Sequence, residues 1–448
     1  MIRRPSTHRW PGARLAVAAA LALVALPASA THLIAAYRAA LHHDPAYQAA
    51  ISEHAAGQLN RDIARSNLLP NASASAGYSD NRGDRGINGA SPTPLSYDSK
   101  VLSVSVRQPL YSLDAMARYR QGGYQADYAG AIFEGKSQDL IVRLVTAYLE
   151  MLSAGDQLRL VVAQREALAE QQTLNVRRFE KGEGTKTDVL ETRARFELAS
   201  ATAIEAQDVL DNAQRKLQAI VGRDFAAPHL DLDRSLALPL QADTVDGWEK
   251  LALEHNPTIR ARRLLTELAA QEIRKNEAGH LPRLDLVASH SRSTSESIVL
   301  FNSETTLTSV GVQLSVPIYS GGAVSASVRQ SADLLSKSQS ELDDAANTVQ
   351  VEIRKQFKLV TSGRARIQAL EQAEASAMEA LEATRKSIQS GVRINLDLLN
   401  AMQQLTTTQR DLAQARYGYL LAYVRLHEAA GVLGEAVVDR LSSVLKAR

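Results

Sequence analysis

The feature that most constrains this chain is a hairpin turn followed by a strict seven-residue repeat, and it occurs twice. In the first copy Gly182, Glu183 and Gly184 form a polar turn, after which Val189, Phe196, Ala203, Leu210 and Leu217 recur at every seventh position. Three residues on runs a second row, Ala199, Ala206, Ala213 and Ile220, small or aliphatic apart from Thr192 at its start. In the second copy Gly391 and Val392 make the turn. Leu398, Leu405, Leu412, Tyr419 and Leu426 are then the large row, beside Ala401, Thr408, Ala415, Ala422 and Ala429. A seam of alternating large and small side chains sustained in this way predicts coiled-coil packing. Its recurrence predicts one unit built twice rather than several unrelated domains.

At the N-terminus Arg3, Arg4 and Arg14 precede the apolar run Leu15 to Leu26 and the small residues Ala28-Ser29-Ala30. That is the order of a secretory signal peptide, residues 1–30, with a mature chain starting near Thr31. An uncleaved anchor is the alternative, but a spanning helix needs about 20 apolar residues and this run is shorter. With 51 Lys and Arg against 49 Asp and Glu, and a basic leader, the mature protein is close to neutral, which does not suggest a nucleic-acid partner. The absence of cysteine excludes disulfides, thiolate metal sites and a lipid-modified cysteine at the cleavage point.

Along the chain a first repeat spans 31–245 and a second 246–436, followed by a tail, 437–448. Each repeat begins with a short helix restarted by a capping residue and proline: Asp44-Pro45, predicted to run to about Asn67, and Asn256-Pro257. His42 and His43 beside Asp44 read as helix-end polar residues, since no further ligand sits at coordinating spacing. Past Leu69-Pro70 and Leu281-Pro282 the period becomes two, which predicts strand pairs at 72–78 with 101–108 and at 284–290 with 308–316. The polar stretches Ser79 to Lys100 and Arg292 to Thr306 read as long exposed loops. After Pro109 and Pro317 come two proline-free runs, Ser112 to Phe179 and Gly322 to Ser390, each long enough for a helix of about 100 Å. The fold class is therefore mainly α with a small β part, built from long coiled-coil helical hairpins.

Four short strands cannot close a barrel, for which about eight is the practical minimum. The missing strands must come from other chains. Small alternating residues, polar loops on one side, and Tyr78, Tyr97, Tyr111 and Tyr319 fit a transmembrane β-barrel with an aromatic girdle; a soluble β cap on a coiled coil is the competing pattern.

These elements resemble the TolC family of outer-membrane channel proteins, in its unlipidated branch. The resemblance covers nearly the whole mature chain. It rests on Asp44-Pro45 and Asn256-Pro257, the phrase Gly279-His280-Leu281-Pro282-Arg283-Leu284-Asp285-Leu286, the phrase Val316-Pro317-Ile318-Tyr319-Ser320-Gly321-Gly322, and Ala415-Arg416-Tyr417-Gly418-Tyr419-Leu420. It implies a homotrimer whose strands make a twelve-stranded barrel in the outer membrane and whose helices make a periplasmic tunnel. Such a channel serves a tripartite efflux pump or type I secretion system, with a periplasmic adaptor (membrane fusion protein) and an inner-membrane transporter as partners. It takes no cofactor.

The resemblance also implies which residues narrow the tunnel entrance. The first of the family's two aspartate rings maps onto Asp397 and the second onto Asn400, which weakens the charged constriction. The linking arginine maps onto Arg393, with Thr187 and Asp188 as its region of contact. The tyrosine of the other link falls on Ile388, which cannot hydrogen-bond. The turns at Gly182, Glu183, Gly391 and Val392 would meet the adaptor. Read from the residues alone, Asp188 stands three before Glu191 as in a capping box, and capping is the favoured role for it; Asp397 opens a helix, where a cap and a lumen-facing charge are compatible. No phosphate loop, His-Glu-x-x-His or nucleophile elbow supports an enzyme. A periplasmic coiled-coil adaptor or structural protein is the competing class, and it would lack duplicated strand pairs. Drug or protein as the exported substrate stays open at this level.

Overall fold

The structure is a computed structural model that describes residues 32–86, 89, 91–223, 225, 230–232, 238–295 and 303–447. The leader, residues 1–30, and Thr31 lie outside the described residues. The chain begins with helices α1 (His32–His43), α2 (Pro45–Gln58) and α3 (Asn60–Ser66), then strands β1 (Asn71–Arg85) and β2 (Thr93–Tyr111), then the long hairpin α4 (Leu113–Glu180) and α5 (Lys186–Val221). After β3 (Leu230–Leu232) the same order returns. It consists of α6 (Val245–His255), α7 (Pro257–Glu277), a short 3-10 turn, β4 (Arg283–Ser295), β5 (Ser303–Ser315), α8 (Ala323–Gln389) and α9 (Asn395–Ala429), and α10 (Glu435–Val444) and β6 (Leu445–Ala447) follow.

The two proline-free runs are single helices of 68 and 67 residues. Each reaches about 100 Å at 1.5 Å per residue. Ser112 caps the first by accepting from the Ala115 amide at 3.2 Å. Both proline restarts form as the capping rule expects. Asp44 accepts from the Ala46 amide at 3.1 Å, and its other oxygen receives Arg143 of α4 at 2.5 Å. Asn256 accepts from the Thr258 and Ile259 amides and donates to the Ala429 carbonyl at 2.8 Å. Each short helix is thereby fixed to a long neighbour at its first turn. The helix expected to run unbroken to Asn67 is instead interrupted at Leu59, whose amide takes the shorter-range Ala56 carbonyl at 3.2 Å and tightens the turn between α2 and α3.

One antiparallel sheet has the order β1-β2-β4-β5. Its strands are longer than the alternating apolar segments. Asp80↔Asp98, Arg82↔Ser96 and Arg85↔Thr93 continue the β1–β2 ladder, and Ser293↔Thr305 and Ser295↔Ser303 continue β4–β5. Most of the two stretches read as exposed loops is therefore strand; backbone hydrogen bonds extend the ladder through polar side chains because both sheet faces tolerate them. The register sorts the faces. One carries serine rows, with Ser73 bonded to Ser105 at 2.9 Å, Ser75 to Ser103 at 2.7 Å and Ser289 to Ser309 at 2.9 Å. The other aligns Ala72, Val106, Ala288 and Val310, with Leu286 and Val312 beside them. A bulge between Pro109 and Tyr111 pairs Tyr111 with Leu284 and so turns the tyrosine onto the apolar face.

The main core gathers where α1, α4, α6, α9 and α10 meet, around Leu140, Leu144, Tyr148, Trp248, Tyr419 and Tyr423. Burial pushes the His427 imidazole down to about 4, so it is neutral in this core, with Nδ1 bonded to the Tyr423 carbonyl at 2.8 Å. In the stretch 437–448, read as a tail, the described residues 437–447 form helix and strand: Val437, Val438, Leu441 and Val444 of α10 are buried in this core and β6 pairs with β3. The heptad rows behave as the seam predicts, with Ala199, Ala206 and Ala213 buried in α5 and Leu398, Leu412, Tyr419 and Leu426 in α9.

Candidate channel entrance

At the far end of both long hairpins the chain turns through the same geometry. The Gly182 amide bonds the Phe179 carbonyl at 3.0 Å and the Glu183 amide bonds Arg178 at 2.9 Å. At the second tip Gly391 bonds Ile388 at 3.0 Å and Val392 bonds Ser387 at 2.9 Å. This paired bonding is a Schellman cap, which needs a left-handed residue, and both glycines supply it with φ of 78° and 72°. Beyond the cap, Val392 and Ile394 are 78% and 64% exposed, leaving the second tip apolar where the first is polar.

The first hairpin re-enters helix through a reciprocal cap. The Asp188 amide bonds Thr185 Oγ1 at 3.1 Å, and Asp188 Oδ2 accepts from both the Thr185 amide at 3.2 Å and its hydroxyl at 2.7 Å. Asp188 therefore does cap a helix, but as the third helical residue answering Thr185; the pairing with Glu191 is not the one formed. At the second tip the equivalent position is Ile394, which has no side chain to cap with, and Asp397 sits three residues later. Among the described residues the Asp397 carboxylate has no hydrogen-bond or ion-pair partner within the chain, although it is partly shielded.

Arg393 and Thr187 are both exposed, and the chain forms no polar contact between Arg393 and either Thr187 or Asp188. Asn400 is engaged: its Oδ1 accepts from Arg195 of α5 at 3.0 Å, joining the two hairpins. Ile388 packs against a small apolar cluster of Leu168, Ala199, Leu381, Leu398, Leu399 and Met402. It fastens the second hairpin by burial where a tyrosine would use a hydrogen bond.

A second fastening was only half visible in the sequence. Asn175 of α4 is 4% exposed and Thr192 of α5 is fully buried. The Asn175 amide donates to Thr192 Oγ1 at 2.8 Å and to Asn395 Oδ1 at 3.0 Å, and Asn395 donates back to Thr192 at 3.2 Å. Gln171 adds bonds to Asn175 and Asn395, each at 3.1 Å. This closed polar network ties the first turn of α9 to the inside of the α4–α5 hairpin. Thr192 interrupting an otherwise small-apolar row was its sequence signal; nothing local marks Asn175 or Asn395.

A sheet with one apolar and one serine-lined face, carried on paired helical hairpins about 100 Å long, defines an outer-membrane channel with a long periplasmic tunnel section. The chain belongs to the outer membrane efflux protein family, whose profile matches residues 36–223 and 248–432. It is similar to the alkaline protease secretion protein AprF of Pseudomonas aeruginosa, 41% identical over 402 residues that cover 88% of this chain and 83% of the relative. It is also similar to the outer membrane protein TolC of Escherichia coli, 30% identical over 398 residues, covering 85% and 78% of the two chains. In fold it resembles the outer membrane protein VceC from Vibrio cholerae, with a TM-score of 0.76 at 20% identity over 90% of this chain and 96% of that one. The protein is thus an outer-membrane channel of the efflux and secretion class rather than a periplasmic adaptor.

Proposed function

We propose that this channel serves a type I secretion system and passes a protein, of the secreted-protease kind, from an inner-membrane transporter and periplasmic adaptor to the exterior. The observation that carries this reading is the likeness to AprF, together with 40% identity over 402 residues to the proteases secretion protein PrtF of Dickeya chrysanthemi. The TolC relatives are more distant, at 28–30%.

The working unit in this reading is a homotrimer. The outer edges of β1 and β5 are unpaired among the described residues, and four strands cannot enclose a pore, so further copies complete the barrel. Three Asp397 carboxylates then converge on the axis at the entrance, where a focused negative potential favours cations, while Asn400 contributes no charge. Arg393, with no polar side-chain partner among the described residues, reaches the Thr187–Asp188 region of a neighbouring copy. The turns at Gly182–Glu183 and Gly391–Val392 face the adaptor.

The test is complementation. A strain that lacks its outer-membrane secretion channel but retains the transporter and adaptor for a secreted protease is given this chain, and extracellular protease activity is measured. Secretion restored without restored resistance to small toxic compounds supports the proposal. Restored resistance without secretion assigns the channel to a drug pump instead.

A further inference from the structure

The strand register brings a cationic recess to one height on the apolar face of the sheet. Ala76 pairs with Leu102 and Leu102 with Arg292, and in the next row outward Tyr78 pairs with Lys100 and Lys100 with Thr294. These six residues line one shallow pocket. Lys100 Nζ lies 5.9 Å from the centre of the Tyr78 ring, and Arg292 is oriented by an ion pair with Glu304 on β5. Their side chains share the face that carries Val106, Ala288 and Val310 lower down, the face that meets lipid. His290 interrupts that face but is hydrogen-bonded to Thr308 at 2.8 Å.

The height of the recess identifies what it meets. From Leu284, beside Tyr111, to Thr294 the strand climbs about 34 Å at ~3.4 Å per residue. Tilted by about 40°, that is roughly 25 Å along the membrane normal, the full depth of an outer-membrane apolar band. Tyr111 marks the helix-side boundary, so Tyr78, Lys100 and Arg292 stand at the opposite one, facing the outer leaflet. The charges are layered. Lys100 and Arg292 lie next to the apolar band with Glu304 of β5 in the Lys100 row, and Asp80 and Asp98 face each other one row further out, with Arg82 paired to Asp80 at 2.7 Å. A ligand with acyl chains, phosphate at the base of its headgroup and sugar hydroxyls beyond would meet apolar surface, then two cations that outnumber the one carboxylate, Glu304, beside them, then the Asp80–Asp98 pair.

We infer that Lys100 and Arg292, with Tyr78 and Thr294, form a binding site for the phosphorylated headgroup of an outer-leaflet glycolipid of the lipid A type. The ammonium and guanidinium give charge-assisted hydrogen bonds to phosphate, and the Tyr78 ring covers the first sugar. The site anchors the barrel in the outer leaflet and fixes its depth. It is independent of what the channel exports.

Purified full-length protein in nanodiscs is titrated with diphosphoryl lipid A, with the same lipid dephosphorylated, and with phosphatidylglycerol, and bound lipid is counted by native mass spectrometry. The native protein should prefer the diphosphoryl form by about tenfold or more over both others. Lys100→Gln and Arg292→Gln should each weaken its binding by about tenfold, Lys100→Arg should retain it, and inorganic phosphate should not compete. Equal binding of phosphorylated and dephosphorylated forms by the native protein overturns the inference, and needs no variant to fold. Equal binding of phosphatidylglycerol, or competition by free phosphate, overturns it as well, by showing general interfacial charge or a simple anion site.

Discussion

The α4–α5 and α8–α9 hairpins reverse direction through the same glycine-dependent cap, yet the first is locked on its return and the second is not. Thr185 and Asp188 satisfy each other's orphan groups, whereas Ile394 leaves the first turn of α9 uncapped and Asp397 unpaired. What holds the second tip is contact with the first: the Asn395 bonds to Asn175 and Thr192, the Arg195–Asn400 bond, and the burial of Ile388. The return helix of the first hairpin is capped by its own side chains, and that of the second, with no such cap, adds polar bonds to the first. An entrance that opens by displacing one hairpin from its neighbour would be expected to divide stability in this way.

That contrast can be broken most severely at the network. Asn175→Ala leaves Thr192 and Asn395 without their shared donor in a buried site. It should cost about 2–3 kcal/mol, seen as lost hydrogen-exchange protection in the first turns of α9 and as raised open conductance. If protection falls equally in the first turns of α5, the two hairpins are one unit and the contrast is wrong. Replacing the left-handed glycines tests what the tips share. Gly182→Ala and Gly391→Ala should each cost about 1–2 kcal/mol and by similar amounts, measured by thermal unfolding of each variant.

The caps test what the tips do not share. Thr185→Ala should lose about 1 kcal/mol by removing one half of the reciprocal cap. Ile394→Thr should gain about 0.5 kcal/mol, because Asp397 already stands where the answering carboxylate belongs, and should lower conductance. The smallest stability effect is expected at Asp397→Ala, about 0.3 kcal/mol, the low end for a helix-dipole interaction in a partly exposed, salt-screened first turn. Its signature lies in single-channel recordings, with cation preference reduced much more than by Asn400→Ala. A change in stability without a change in selectivity would leave Asp397 only a structural role.

Much of this architecture follows from rules that act over a few residues, and those parts were legible. The seven-residue rows report which helix faces are buried, proline-free runs report uninterrupted helix, and Asp44-Pro45 and Asn256-Pro257 report restarts through caps that reach two or three residues ahead. Glycine at 182 and 391 was legible because only glycine enters the left-handed region at little strain. Other features depend on partners remote in sequence. The strands run on through polar residues because a ladder's extent is set by the strand opposite, and the register across β2 and β4 decides that Lys100 and Arg292 share a height. Residues 435–447 become helix and strand because the core around Tyr423 and the β3 edge were there to receive them. Asn395 meets Asn175 and Thr192 across more than two hundred residues, and each alone is an ordinary polar residue on a helix. Local stereochemistry and hydrophobic period, written in the sequence itself, determine the elements and the faces they bury. Only tertiary packing, by removing water from particular polar groups and supplying their partners, decides which of those groups fasten the entrance and which are left free to work there.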